Sequence, residues 1–498
     1  MTAANGTGAY VLDGGKYNFY LSTGLTGAHC WANPADTFTA DVDRIEYSGD
    51  NKRSADLTVA SNQLTKGAIR DGQQITLLSR ADSLANAEEA VFAPRENYTT
   101  SEGNPLYEIL VNTASKAGEY KGTILSDLST GVAGTLNFND MIGAAYDDPR
   151  WDTLISQMSV EDMILLAGTG GWSTPAIESI GKSATTDIDG PFCLSNLIKN
   201  SMGADVKCVS HASEVVMAST WNTELIQRVS RAVAAEAMVT GTSGWYAPGA
   251  NLHRTPFGGR NPEYYSEDPL LSGSMCAAEV DGALAHGLYV YIKHFAFNDT
   301  EANRIAKQNC YVDEQAAREL YLRAFELAIK NNTYDQNGKQ LTYGATGLMS
   351  SYMWYEENWN GHDFNLMTNI LRDEWGFKGM VITDNAALVK SWITMAKAIY
   401  GGTDLMLVYN TAKLSSSVSS SDAGISALKK ASKHILWTIA DATARRTSGE
   451  EGVPVAQVDE GIDGWQIVKI AVNAVLLTGA VLCLVLWFLR RKKASNQK

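Results

Sequence analysis

From about Asp148 the chain alternates short apolar runs with longer stretches of helical spacing, and it does so over roughly 300 residues, the pattern of repeated β/α units. WDTLISQMSVEDMILLAG opens the series, with Ser159 placed to cap a helix and acidic residues after it. Strand-like ATTDID, GWYAPGANL, YVYIKHFAF, TGLMSSYM, GMVITD and DLMLVY come next, separated by helical runs such as SEVVMASTWNTELIQRVSRAVAAEAM and EQAARELYLRAFELAIK. The predicted architecture is α/β, a (β/α)8 TIM-like barrel over residues 148–445. The strand C-termini of such a barrel share one face, where polar groups converge on a mouth.

The polar residues fall where that reading needs them: Asp187 and Asp189 after ATT, Lys293 and His294 after YVYI, Asp384 after GMVIT, and Asp404 before LMLVY. Asp384 ends an apolar β-branched strand. It reads equally as a functional carboxylate or as an N-cap for ALVKSWITMAKAI. Lys293 and His294 offer positive charge and hydrogen-bond donors suited to sugar hydroxyls or to a phosphate. NLHRTPFGGRNPEYYSEDP packs Arg254, Arg260, Glu263, Glu267 and Asp268 closely, which is costly unless they pair or face a polar ligand.

Outside the barrel the chain changes character. Residues 1–135 hold short apolar runs (YNFYL, DLTVA, QQITLLS) between Gly, Asn and Asp, and read as a small β-rich support domain. Residues 446–466 read as an acidic stalk. Residues 470–489, IAVNAVLLTGAVLCLVLWFL, form an uncharged run of about 30 Å as a helix, the thickness of a bilayer core. With the basic tail 490–498 behind it, this run is expected to be a single transmembrane helix in the cell membrane, the C-terminus cytoplasmic and the barrel extracytoplasmic. MTAANGTGAYVLDGG has no signal-peptide pattern, so an exported upstream part and a tail anchor with cytoplasmic bulk both stay open.

Composition narrows the chemistry. The net charge of −14 disfavours nucleic acid as a partner. Cys30, Cys193, Cys208, Cys276, Cys310 and Cys483 are scattered without metal-site spacing, so no metal is expected. There is no HExxH, no EF-hand loop, no Gly-x-Ser-x-Gly elbow and no phosphate loop with a Lys-Ser/Thr ending.

TDIDGP at 186–191, GWYAPGANLHRTPFGGRNPEYYSEDP at 244–269, IKHFAFNDTE at 292–301, LMSSYM at 348–353 and LRDEWGFKGMVITD at 371–384 occur in an order that resembles the barrel domain of glycoside hydrolase family 3. The resemblance implies a retaining, exo-acting hydrolase of non-reducing terminal β-linked neutral sugars, a β-D-glucoside first among them, needing no cofactor. It implies Asp384 as the nucleophile that forms a covalent glycosyl-enzyme, Asp189, Arg260, Lys293 and His294 on the sugar hydroxyls, and Tyr352 packed near the nucleophile, with Asp187 a weaker candidate. Glu263 is expected to pair with a neighbouring cation. Trp245, Trp354 and Trp359 read either as stacking platforms or simply as packing.

The acid/base in this type of enzyme comes from an α/β sandwich domain. The order here resembles the family's reversed arrangement with the front sandwich missing, so a partner chain carrying sandwich and acid/base is implied, Glu356 and Glu357 being in-chain substitutes. The alternative is a catalytically weak, membrane-anchored sugar-binding or assembly subunit that keeps the barrel pocket.

Overall fold

The computed structural model describes residues 8–20, 37–64, short pieces between 69 and 90, 118–195, 208–355 save 303 and 307, 358–447 save 390 and 391, and positions 472, 473 and 478. The first described stretch forms two antiparallel pairs. Tyr10–Leu12 pairs with Ile45–Tyr47, and Gly15–Tyr20 with Thr37–Val42.

Six parallel strands organise the barrel: β1 (Thr185–Asp189), β2 (Gly244–Tyr246), β3 (Tyr289–Val290), β4 (Ile292–Phe295), β5 (Gly347–Ser350) and β6 (Met380–Ile382). Their register runs Asp189 beside Tyr246, Trp245 beside Val290, Phe295 beside Ser350 and Met349 beside Ile382. Parallel bridges from Gly249 to Lys293 and from Ile382 to Leu405 continue the array. Met406 N then donates to Ala167 O and Gly170 N to Met406 O, which returns the array to its start. The ring departs from a regular eightfold repeat at Ser173–Thr174, which runs antiparallel to β1.

Strands buried on both faces run largely apolar, and β3 to β6 are fully buried, with Lys293 and His294 of β4 and Ser350 of β5 as the polar exceptions. Helices α1 (Arg150–Gln157), α2 (Val160–Gly168), α3 (Thr223–Val239), α4 (Pro269–Leu284) and α5 (Asp422–Thr447) surround them. Ser159 caps α2 as expected: its hydroxyl accepts from Asp162 N at 3.0 Å while Asp162 Oδ2 accepts from Ser159 N at 3.0 Å. Asp268 caps α4, with Pro269 at the first turn.

The segment 53–64 is tied to the barrel by buried charge. Arg318, fully buried, donates to Glu374 at 2.7 and 2.8 Å, to Glu314 at 2.8 Å and to Ser61 O at 2.9 Å. Arg53 donates to Asp56 at 2.8 Å and to Glu326 at 2.5 Å, and Lys330 binds both Asp56 and Glu326. Nothing in the composition of this region foretold a convergent charge cluster, because most of the partners lie some 250 residues or more further along.

The expected transmembrane helix, and with it the single-pass membrane location and the membrane as a partner, is corrected. Among the described residues no helix is long and apolar enough to cross a membrane. A helical span must satisfy its backbone groups within one apolar helix. The longest described helix, α5, carries Lys429, Lys430, Lys433, Asp441, Arg445 and Arg446 and cannot serve. The run 470–489 itself lies almost wholly outside the described residues, as do the stalk beyond Thr447, the basic tail, and Glu356 and Glu357.

Candidate active site

Asp384 stands two residues beyond β6 and is only slightly exposed. Its Oδ1 accepts the backbone N–H of Asn385 at 2.7 Å, and its Oδ2 accepts from Arg304 Nη1 at 2.8 Å. The capping role open to it in sequence falls instead to Asn385, whose side chain accepts from Ala387 N at 3.2 Å over a short 3-10 turn. Asp384 is therefore left facing side chains from other strands.

His294, on β4, approaches with Nε2 3.9 Å from Asp384 Oδ2. Its main chain is locked by Asn251, which donates to His294 O at 3.0 Å and accepts from His294 N at 2.7 Å. Burial pushes the imidazole well below its ordinary range, and the charges of Arg260, Lys293 and Arg304 push the same way. The ring is therefore neutral. With Arg260 Nη1 donating to Nε2 at 2.9 Å, the hydrogen-bond network assigns the proton to Nδ1, which lies 3.2 Å from the Tyr264 hydroxyl.

Lys293 reaches two carboxylates, Asp189 Oδ1 at 3.1 Å and Glu263 Oε1 at 2.9 Å. Arg260 closes the ring of charge: it binds Glu263 through Nε at 2.5 Å and Nη2 at 2.7 Å, a bidentate pair. Burial would raise the Glu263 carboxyl, but the Lys293 ammonium and the Arg260 guanidinium outweigh it and hold the group down at about 2. Glu263 thus pairs with cations, as expected. Asp189 is the most open member, its side chain 31% exposed, and can offer an oxygen to a ligand.

Tyr352 donates to Asn385 O at 2.6 Å, and burial with the adjacent Asp384 charge raises its phenol far above the ordinary range. It stays protonated beside the nucleophile candidate.

Two expectations are corrected by position, and one open reading is decided. Asp187 lies on the same strand as Asp189 but two residues deeper, fully buried, accepting from Tyr289 at 2.5 Å and Tyr291 at 2.8 Å. Burial pushes its carboxyl up to about 6, and it belongs to the barrel interior. Asp404 lies just before the isolated Leu405 bridge to Ile382, and it binds Arg372 at 2.7 Å, His434 at 2.7 Å and Val381 N at 2.7 Å. Trp245, Trp354 and Trp359 are all buried. The Trp245 indole donates to Gly190 O and that of Trp359 to Ser351 O, so they pack the strand ends instead of offering faces to solvent.

Arg304 and Glu301 join the site without having stood out in the sequence. Glu301 Oε2 holds Arg304 Nε at 2.6 Å, and its Oε1 lies 3.4 Å from Arg260 Nη1. The signal was a Glu-x-x-Arg pair six residues beyond the strand that carries Lys293 and His294. Every described carboxylate of the site, Asp189, Glu263, Glu301 and Asp384, is engaged by a cation.

A ring of mainly parallel strands whose C-terminal ends gather carboxylate, guanidinium, ammonium and imidazole has the arrangement of a barrel with its polar site at the strand ends. Residues 209–438 match the glycosyl hydrolase family 3 N terminal domain. A β-glucosidase of Rhizobium radiobacter is 34% identical over 234 residues, 47% of this chain and 27% of that one. The structure of β-glucosidase 3B from Thermotoga neapolitana in complex with α-D-glucose matches with a TM-score of 0.50 at 27% identity, covering 60% of this chain and 44% of that one. A β-glucosidase from Paenibacillus barengoltzii matches in fold with a TM-score of 0.57 at 20% identity, covering 92% of this chain and 46% of that one. The chain thus spans under half the length of each of these relatives.

Proposed function

We propose that the barrel is the sugar-binding and nucleophile-bearing part of a retaining, exo-acting β-glycosidase, with a terminal β-D-glucoside as its first substrate. The observation that carries this reading is the single connected cluster of Asp384, His294, Arg260, Lys293 and Asp189 at the ends of parallel strands. Asp384 is the nucleophile; its oxygen attacks the anomeric carbon and the aglycone oxygen leaves with a proton. Asp189, Lys293, His294 and Arg260 hold the sugar hydroxyls, the charged members through hydrogen bonds that tighten as the ring gains oxocarbenium character. Tyr352 packs beside the nucleophile and fixes Asn385.

The acid/base is a carboxylate from beyond the described barrel residues, on an α/β sandwich that precedes the barrel or on a partner chain. Supporting this, each described carboxylate at the site is already committed to a cation. Residues 1–135 serve as a support domain. The same commitment favours a second reading, a subunit that binds monosaccharide and turns it over poorly.

Intact mass after incubation with 2-deoxy-2-fluoro-β-D-glucosyl fluoride separates the two, because fluoride leaves with little protonation. The enzyme reading expects one covalent adduct that Asp384→Asn abolishes. Glucose binding by calorimetry with no adduct would leave the binding subunit.

A further inference from the structure

The guanidinium at Asp384 is held from several sides. Arg304 Nη1 lies 2.8 Å from Asp384 Oδ2, Nε lies 2.6 Å from Glu301 Oε2, and Cζ sits 4.8 Å from the centre of the Tyr352 ring. Glu301 is itself tied by Asn298 Nδ2 at 3.2 Å and by Arg260 Nη1 at 3.4 Å. A long, flexible, largely buried side chain is thereby fixed at one oxygen of the reacting carboxylate.

In a two-step displacement the charge of that carboxylate comes and goes. It is present in the resting enzyme, is lost when the ester forms, and returns as the ester breaks. A fixed cation favours the states in which the charge is present, so it opposes the first step and assists the second. We propose that Arg304, positioned by Glu301, receives the returning charge of Asp384 and so accelerates breakdown of the glycosyl-enzyme more than its formation. This rests on the reading of Asp384 as nucleophile.

In that breakdown the water oxygen bonds to the anomeric carbon as the bond from this carbon to Asp384 breaks. The electron pair of the broken bond stays on Asp384 as carboxylate, and the water proton passes to the acid/base carboxylate. Arg304 keeps its own protons throughout.

The test uses the full chain as wild type, Arg304→Gln, Arg304→Lys and Glu301→Gln. Adduct formation with 2-deoxy-2-fluoro-β-D-glucosyl fluoride is timed by mass. After removal of excess reagent, adduct loss is timed in azide, which attacks without giving up a proton. Arg304→Gln is expected to form the adduct within about threefold of the wild-type rate and to lose it on the order of 10²-fold more slowly. Glu301→Gln moves the same way by roughly tenfold, and Arg304→Lys falls between wild type and Arg304→Gln. Formation and loss slowed in equal proportion, or neither altered, in whichever Arg304 variant folds, would overturn the proposal. Absence of any adduct on the wild-type chain would instead overturn the nucleophile reading beneath it.

Discussion

His294 is a hydrogen-bonding group without charge, and this decides what it can do for a sugar. Its Nε2 lone pair is taken by Arg260, and its ring is wedged between cations in a buried setting, so protonation near neutrality would place a fourth positive charge among Arg260, Lys293 and Arg304. The imidazole is expected to stay uncharged through its ordinary titration range, around 6.5. Its Cε1 chemical shift, assigned by comparison with His294→Gln, checks this directly, and an inflection at or above about 6.5 would contradict the assignment. Lys293 and His294 were legible in sequence because two polar residues in tandem interrupt an apolar strand. Glu301 and Arg304 were not, because a Glu-x-x-Arg pair in a loop looks like an ordinary solvated pair; only the fold brings Arg304 to a carboxylate 80 residues away.

At the scale of elements, local chemistry set the boundaries that could be read in advance. The Ser159 capping box, read in advance, starts α2; Asp268, read only as one of a dense charge group, turns out with Pro269 to start α4, and both satisfy N–H groups that a helix cannot satisfy itself. Ser159→Ala should cost about 1 kcal/mol, seen as a lower urea midpoint at unchanged slope. No loss would mean that tertiary packing alone holds this turn. The antiparallel Ser173–Thr174 was not legible, because a two-residue pairing has no periodicity to detect. Asp404 misled for a related reason. A carboxylate next to an apolar run marks a strand end, but not which end, and this one closes against Arg372 and His434.

For the whole molecule, stability is coupled to acid through the charges that tie segment 53–64 to the barrel. Burial would raise Glu326, but Lys330, Arg53 and Arg323 outweigh it and hold the carboxyl at about 2, below its ordinary 4.5. A depressed carboxyl stabilises the fold fully above pH 4.5 and loses that contribution as pH falls towards 2, a change of roughly 3 kcal/mol. Glu326→Gln should therefore be less stable at pH 7 yet lose less stability between pH 4.5 and 2 than the parent. Denaturant unfolding at pH 7, 4 and 3 checks it, and parallel losses in both proteins would count against the network.

The closing seam has a further consequence. Backbone bonds join Met406 to Ala167 and Gly170, Lys433 reaches Asp152 at 3.3 Å, and Tyr146 stacks on His434 at 5.9 Å. The front and back of the barrel sequence therefore leave from one corner. Gly143 also lies against the Ala444 side chain near the end of α5, so a module fused ahead of Gly143 and one fused behind Thr447 start out as neighbours, and linker reach rather than gene order governs which of them can lean over the strand ends.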